Sequence, residues 1–414
     1  MVKTSPNNPT KNRRVVVTGL GVVSSIGIGW QEFWKNLLAG KSGISKIESF
    51  DTSKYDRHYG GEVKNFNPAK FISKHKIPQI GRASQLAVAA AKLALEDAGL
   101  KLSNAVRDSF GVFVGTTTGE IALLEEYYEM AQRSGRISDA NFLVFPSGSL
   151  SINIDKEFKL KSDNVVFANA CAAGNYAIGR ACDLIKSGQI DYALAGGADG
   201  LSQVVFAGFN RLLAIAPEKC QPFDKNRKGI IPGEGSGILL LESLESAQKR
   251  DVPIYAEILG YGLSCDAYHI TDPTVDGVGK AIRKCLKEAD LAEGDVDYIS
   301  AHGTGTIEND CAECQAIEAV FGKRSKQIPI SSIKSMLGHT MGAASALEAI
   351  ACCLTIKDQV IPPTINFETP DPECDIDCVP NKTRKHKVEV VLNNSQAFGG
   401  NNACVVLRKL CGEG

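Results

Sequence analysis

The sequence predicts an α/β protein with a largely parallel or mixed sheet, and three observations lead there. Apolar runs of strand length alternate with helix-length periodic segments along the 414 residues. A composition that is 43% hydrophobic and 22% charged can bury a large core, and the length suits two domains or two fused halves. Two distant segments, Val165 to Asp191 and Ile328 to Gln359, also follow one plan: apolar strand, chemically rich turn, small-residue helix, polar stop.

Taken in order, a β-branched run marks a strand at Arg14–Thr18, followed by an aromatic-faced helix at Trp30–Ala39 and an alanine-rich helix at Ser84–Ala98. A strand at Ser109–Gly115 precedes a helix at Glu120–Ser134. The apolar run Asn164–Asn169 reads as a buried strand leading into a helix, Ala172–Lys186, which stops at Ser187-Gly188. Strands at Asp191–Gly196, Gly235–Leu241 and Tyr255–Leu263 come next, then a helix at Gly277–Ala289. The rest alternates: strand Tyr298–Ala301, helix Asp310–Phe321, strand Ile328–Ser332, helix Gly342–Lys357, and strands Glu389–Asn393 and Ala403–Leu407.

The helices after Cys171 and after His339 lack a charged face over most of their length, so both are expected to be buried. Small residues such as Gly174, Ala177, Gly179, Gly342 and Ala346 would let them approach closely. Two similar halves follow, each with one central helix, sandwiched between sheets. Their join falls near Arg250–Pro253, which divides the chain into 1–252 and 253–414.

Lys+Arg 46 against Asp+Glu 47 leaves a formal charge of −1, so no global field draws the chain to nucleic acid or to an anionic membrane. With no run of about 18 apolar residues, no membrane-spanning helix is expected. The polar N-terminus reads as a loose tail and not as a signal peptide. Thirteen irregularly spaced cysteines fit a reducing cytoplasm better than a disulfide framework. Cys311 and Cys314 form a lone Cys-x-x-Cys pair with no accompanying His cluster, so no metal site is assigned.

Cys171 is the candidate nucleophile. At the start of a helix, unpaired N–H groups and the positive end of the helix dipole are expected to draw its pKa below about 8.5. A backbone N–H would also lie near any oxyanion formed on an attached acyl group. Two strand-end loops could serve it: Ala301-His302-Gly303-Thr304-Gly305-Thr306, and Lys334 to His339, which brings a cation and an imidazole to one region. Of six histidines, His58, His75 and His386 fall in polar stretches and read as surface residues.

In order and spacing, Asn169-Ala-Cys171-Ala-Ala-Gly174, His302-Gly-Thr-Gly-Thr306 and Lys334-Ser-Met-Leu-Gly-His339 resemble the Cys-His-His active site of the β-ketoacyl-acyl-carrier-protein synthases. The likeness spans nearly the whole chain, through Val15-Val-Val-Thr-Gly, Pro222-Phe-Asp-Lys225, Asp266-Ala-Tyr-His-Ile-Thr271, Pro362-Pro-Thr-Ile-Asn366 and Phe398-Gly-Gly400. The stretch from Asp266 to Thr271 looks more like type II synthases and polyketide ketosynthases than type I enzymes. The resemblance implies a thiolase-like fold, a duplicated five-layer αβαβα core, working as a homodimer or as a heterodimer with a related subunit.

It also implies roles. Cys171 would carry an acyl group delivered on the phosphopantetheine arm of acyl carrier protein, with the backbone N–H groups of Cys171 and Phe398 as oxyanion hole. His302 and His339, as neutral imidazoles, would act on the malonyl unit, organised by Lys334 with Glu348 in support. Thr304 and Thr306 match residues that hold the pantetheine arm, Phe398 and Gly399 fall in the substrate-binding loop, and Asp310 and Glu313 are assigned to structure. No tightly bound cofactor is implied.

Departures from the family pattern are Gln396 and Ala397 before Phe398, where an aromatic and a glycine are usual, and Leu213 where a basic carrier-docking residue often stands. Docking would then lean on residues such as Lys70, Lys74, Lys76, Arg82, Arg133 and Arg136. Two alternatives stay open: a noncatalytic chain-length partner subunit, which would lack the cysteine, and a thiolase, which would need a second catalytic cysteine where Cys404 reads as core.

Overall fold

A computed structural model describes residues 13–135 and 146–410; Arg136 and the first twelve residues lie outside the described part. Among the described residues, eleven strands join in one sheet built from two halves of the same topology. The first half contains β1 (Val15–Ser24), β2 (Phe110–Gly115), β3 (Asp163–Phe167), β4 (Tyr192–Asp199) and β5 (Gly235–Ser243), laid side by side as β3-β2-β4-β5-β1. The second contains β6 (Ala256–Cys265), β7 (Tyr298–Ser300), β8 (Ile330–Ser331), β9 (Val390–Ala397) and β10 (Asn401–Arg408), in the matching order β8-β7-β9-β10-β6. In each half the outer three strands run parallel and the inner pairings are antiparallel. The halves join where β1 meets β6, from Val15 opposite Ile258 to Val17 opposite Ala256.

Five helices complete the layers: α1 (Arg82–Asp97), α2 (Ala173–Lys186), α3 (Val275–Glu288), α4 (Ile307–Phe321) and α5 (Ala344–Asp358). α1 covers the outer face of the first half, and α3, with α4 beside it, covers that of the second. α2 and α5 pack on each other in the middle and touch strands of both halves. The expected αβαβα stack is therefore present. Every residue of α5 from Ala344 to Ile356 is buried. Small residues make the helix contact possible, since a Cβ on Gly174 would come within 2.7 Å of Ser345 Oγ. Asn175 and Asn393 join the two sides of this seam: Asn175 Nδ2 donates to the Asn393 backbone carbonyl and Asn393 Nδ2 to Asn175 Oδ1, each at 3.0 Å, and Asn393 Nδ2 also donates to the Ser345 carbonyl at 2.8 Å.

Several strand bounds differ from expectation: β8 is only Ile330–Ser331, β9 runs past Asn393 to Ala397, and β1 and β3 differ for reasons visible in the packing. β1 runs to Ser24, well past Thr18, because Gly19 and Gly21 continue the strand instead of ending it. A Cβ on Gly21 would lie 1.8 Å from the Ala90 carbonyl oxygen, so these glycines let α1 rest on the sheet. β3 is not buried: Asp163, Asn164 and Val165 are exposed because β3 is the outermost strand and one edge is open. Helices at Ser149–Phe158 and Gln203–Arg211 had no clear sequence signal. Among the described residues no helix is long and apolar enough to cross a membrane.

Candidate active site

After β3 the chain makes a short turn, Ala170–Ala172, and α2 starts at Ala173. Ala170 is left-handed (φ 48°), a conformation that costs a non-glycine residue about 1 kcal/mol or more. Cys171 sits in this turn at 5% exposure, and its carbonyl accepts a hydrogen bond from Ser395 Oγ of β9 at 3.0 Å.

The thiol does not behave as the helix-terminus argument predicts. Burial pushes Cys171 up to about 12, with the Lys334 charge opposing. Desolvation of a thiolate in this enclosed position outweighs the helix dipole, so the residue rests as a neutral thiol.

The loop after β7 is shaped by two buried carboxylates at the start of α4. Glu313 accepts the N–H groups of His302 and Gly303, each at 2.8 Å. Asp310 accepts those of Thr304 at 3.0 Å, Gly305 at 3.2 Å and Phe223 at 2.8 Å. Gly303 has a positive φ of 41°, and a Cβ there would lie 2.6 Å from the Ser332 Cβ.

Lys334 follows β8 in the second half, where Cys171 follows β3 in the first. It is 1% exposed; Nζ donates to the His302 carbonyl at 2.6 Å and to Glu348, and lies 3.3 Å from His302 Nδ1. An ammonium can only donate, so Nδ1 accepts and the neutral ring carries its proton on Nε2. His339 Nδ1 accepts the Met341 N–H at 3.3 Å, which places its proton on Nε2 as well. Burial, with Lys334 adding, holds both imidazoles well below 6.5, and His339 lowers His302 further. Burial raises the Glu348 carboxyl to about 7 against the opposing charge of Lys334.

The rings of His302 and His339 stand nearly perpendicular (83°) with centroids 5.4 Å apart. Cys171 Sγ and a nitrogen of each ring lie within 4.8 Å of one another. Both imidazole Nε2–H groups are donors, which suits hydrogen bonding to a developing oxyanion. These residues line a cavity of about 350 Å³ together with Thr304, Thr306 and Phe398. Lys334 and Glu348 stand behind the lining, and Gly399 lies outside it, its N–H donating to the Ile270 carbonyl at 2.8 Å. Cys404 is buried in β10 and away from the cavity.

Several contributors were not foreseen from the residues. Phe209, Leu212, Ile230, His269 and Ile270 form much of the wall, beside Gln396 of the departing loop; Phe209 and Leu212 belong to or follow a helix with no clear sequence signal. Phe398 is 38% exposed, its ring 5.4 Å from Phe209. Asp199 at the end of β4 accepts Thr116 Oγ1 at 2.6 Å, Thr117 N–H at 2.7 Å and Gly342 N–H at 2.6 Å, tying the first half to the entry of α5. Of the basic residues considered for docking, Arg82 is engaged with buried Glu234 at 2.7 Å and Lys76 with Glu157 at 2.9 Å. Lys70 and Lys74 are exposed, and Arg133 pairs with Glu129 at 3.3 Å.

Residues 12–247 match the family "Beta-ketoacyl synthase, N-terminal domain", and residues 255–368 match "Beta-ketoacyl synthase, C-terminal domain". The chain is 39% identical to 3-oxoacyl-[acyl-carrier-protein] synthase 2 of Staphylococcus aureus (strain N315), covering 97% of this chain and 99% of that protein. It is also 39% identical to the protein of that name from Synechocystis sp. (strain ATCC 27184 / PCC 6803 / Kazusa), over 96% and 99%. Among solved structures, the ishigamide ketosynthase/chain length factor superposes with a TM-score of 0.94 at 45% identity, covering 97% of this chain and 100% of that one. A type II polyketide synthase acyl-carrier protein in complex with its ketosynthase bound to the hexaketide gives 0.89 at 36% identity, over 97% and 100%.

Proposed function

The chain belongs to the β-ketoacyl synthase family, and from that premise we propose that it is a β-ketoacyl-acyl-carrier-protein synthase of fatty acid or polyketide synthesis. It joins an acyl group to a malonyl unit with loss of carbon dioxide. The observation that carries this reading is the meeting of Cys171 Sγ with a nitrogen each of His302 and His339 within 4.8 Å. A chain-length subunit without a nucleophile does not account for that cluster.

In the first half-reaction the Cys171 sulfur attacks an acyl thioester on the phosphopantetheine arm of acyl carrier protein. The tetrahedral oxyanion rests on the N–H groups of Cys171 and Phe398; the pantetheine sulfur leaves and ends with the proton that Cys171 gave up. Thr304 and Thr306 hold the arm, and Phe398 and Gly399 flank its entry. In the second half-reaction the malonyl thioester carbonyl accepts hydrogen bonds from the Nε2–H groups of His302 and His339. The bond to the carboxylate breaks, carbon dioxide leaves, and the resulting enolate carbon attacks the Cys171 thioester, releasing the cysteine sulfur as a thiolate that takes up a proton from solvent. Lys334 is a positioning residue that fixes the His302 tautomer, and Glu348 holds Lys334.

Acyl carrier protein is the macromolecular substrate, and Arg211, exposed beside Leu212 and Leu213, is the basic residue best placed for its docking. The enzyme works as a dimer, with itself or a related subunit, through the open edge of β3. The division at 252/253 gives the first half the nucleophile and the second half the histidines and Lys334. Its free thiols suit the cytoplasm.

Intact-protein mass after incubation with acyl-carrier protein tests the assignment. Wild type should gain one acyl group, and Cys171→Ala should gain none while keeping its circular dichroism and melting temperature. A covalent adduct on the variant would sink it.

A further inference from the structure

Outside the active site, three thiols and a guanidinium converge where α4 begins. Cys311 and Cys314 lie on α4, and Cys374 arrives from the segment after Asp371. Cys311 Sγ, Cys374 Sγ and an Asp371 oxygen lie within 4.8 Å of one another, and the Cys374 thiol also interacts with Cys314. Cys311 is partly exposed, whereas Cys314 and Cys374 are buried. Arg227, buried itself, donates from Nη2 to Cys311 Sγ at 3.0 Å.

This grouping could hold a soft metal ion or form a disulfide. Arg227 decides between them. Its guanidinium also bonds Asp371, whose other carboxylate oxygen accepts the Glu373 N–H at 3.1 Å, so the carboxylate is already neutralised and both of its oxygens are used. A fixed cation at the sulfur opposes a metal ion, and it partly offsets the burial that keeps this thiol protonated.

We propose that Cys311 and Cys374 form a reversible disulfide when the protein meets a hydroperoxide. The Cys311 sulfur attacks the terminal peroxide oxygen, the O–O bond breaks, and an alcohol or water leaves, giving a sulfenic acid on Cys311. The Cys374 sulfur then attacks Cys311, the S–O bond breaks and water leaves; two thiols are oxidised and one peroxide is reduced. Glu373, whose carboxylate accepts the Cys311 S–H at 3.9 Å, is placed to take the first proton. Burial and Cys374 push the Cys311 thiol up to about 12 with Arg227 opposing, so it rests protonated and the reaction is slow.

The bond would pin the 371–374 segment to α4 beside Asp310, which holds the Thr304 and Gly305 amides, while Arg227 Nε donates to the Thr306 carbonyl at 3.1 Å. Oxidation therefore acts next to the loop that carries His302.

The experiment treats the full-length protein with hydrogen peroxide, blocks remaining thiols by alkylation, and maps peptides without reduction. The expected result is a peptide pair joining Cys311 to Cys374, two hydrogens lighter than the separate peptides and released by dithiothreitol. Cys311→Ser and Cys374→Ser should each lose it, and Cys314→Ser should retain it. Alkylated or further oxidised Cys311 with no cross-link, a Cys314–Cys374 bond in its place, or zinc that shields these thiols until a chelator is added would each overturn the proposal. Should a variant fail to fold, the wild-type peptide map alone still distinguishes these outcomes.

Discussion

A neutral thiol facing two neutral imidazoles takes up and releases protons only as substrates exchange. Because the Nε2–H groups of His302 and His339 point to work on the malonyl unit, His302→Ala and His339→Ala should keep substantial acylation of Cys171 yet lose condensation by about 10²–10⁴ in rate. Single-turnover acylation measured beside full turnover separates the two; condensation at the wild-type rate in both variants would refute the assignment. The same neutrality sets a pH dependence of folding. Each ring is held well below 6.5 when folded and returns to that value when unfolded, so below it the unfolded chain binds the extra protons. The stabilising contribution is complete above 6.5 and is lost as pH falls, by up to about 1.4 kcal/mol per pH unit for each ring. Urea unfolding of wild type and His339→Asn between pH 5 and 8 should therefore show a shallower acid loss in the variant, and parallel curves would contradict it.

Elements differ in how openly the sequence declares them. α2 and α5 were legible because a helix without a polar face has only the interior to occupy, and the turns preceding them were legible because Cys171 and Lys334 to His339 are chemically conspicuous. β1 was read short because glycine signals both a turn and a close approach, and only the presence of α1 shows which applies. Gly21→Ala should accordingly lower stability by about 1–3 kcal/mol or more, since the added methyl meets the Ala90 carbonyl oxygen at 1.8 Å and both backbones must move; a melting temperature within a degree of wild type would show that α1 shifts freely. The exposed β3 was misread because an apolar run looks the same at an open edge as in a core. The cavity wall from Phe209 to Ile230 stayed hidden because ordinary apolar residues acquire a role only through what folds over them. The Cys171 pKa failed for a similar reason: its helix start is visible in the residues, its desolvation is not. Ala397, a departure from the family loop, sits at φ −139° and ψ 156°, where alanine is unstrained, while Gly399 and Gly400 take the positive φ values of 77° and 76°.

On the scale of the whole molecule, the two halves share one strand order, and Cys171 follows a strand of one while His302 and His339 follow strands of the other. The repeated strand–turn–helix plan signalled that two parts of the chain are alike; the strand order was not legible, since pairing partners lie far apart in the chain. The open edge of β3, where Asp163, Asn164 and Val165 are exposed, is where a second subunit should add. Val165→Lys on this edge should shift the protein from dimer to monomer in sedimentation velocity without unfolding it; an unchanged dimer would place the interface elsewhere. The seam between α2 and α5 has a consequence in time as well as in space. On a ribosome β1 emerges first, yet Val15 cannot pair with Ser243 until β5 has been made, and α2 cannot find its partner until residues 344–358 follow. The growing chain thus carries an apolar helix face without its partner from residue 186 to residue 344 of 414, a surface that invites misassembly and the attention of chaperones. The contacts that align thiol and imidazoles are among the last to form, so a truncated chain has no partial active site to offer.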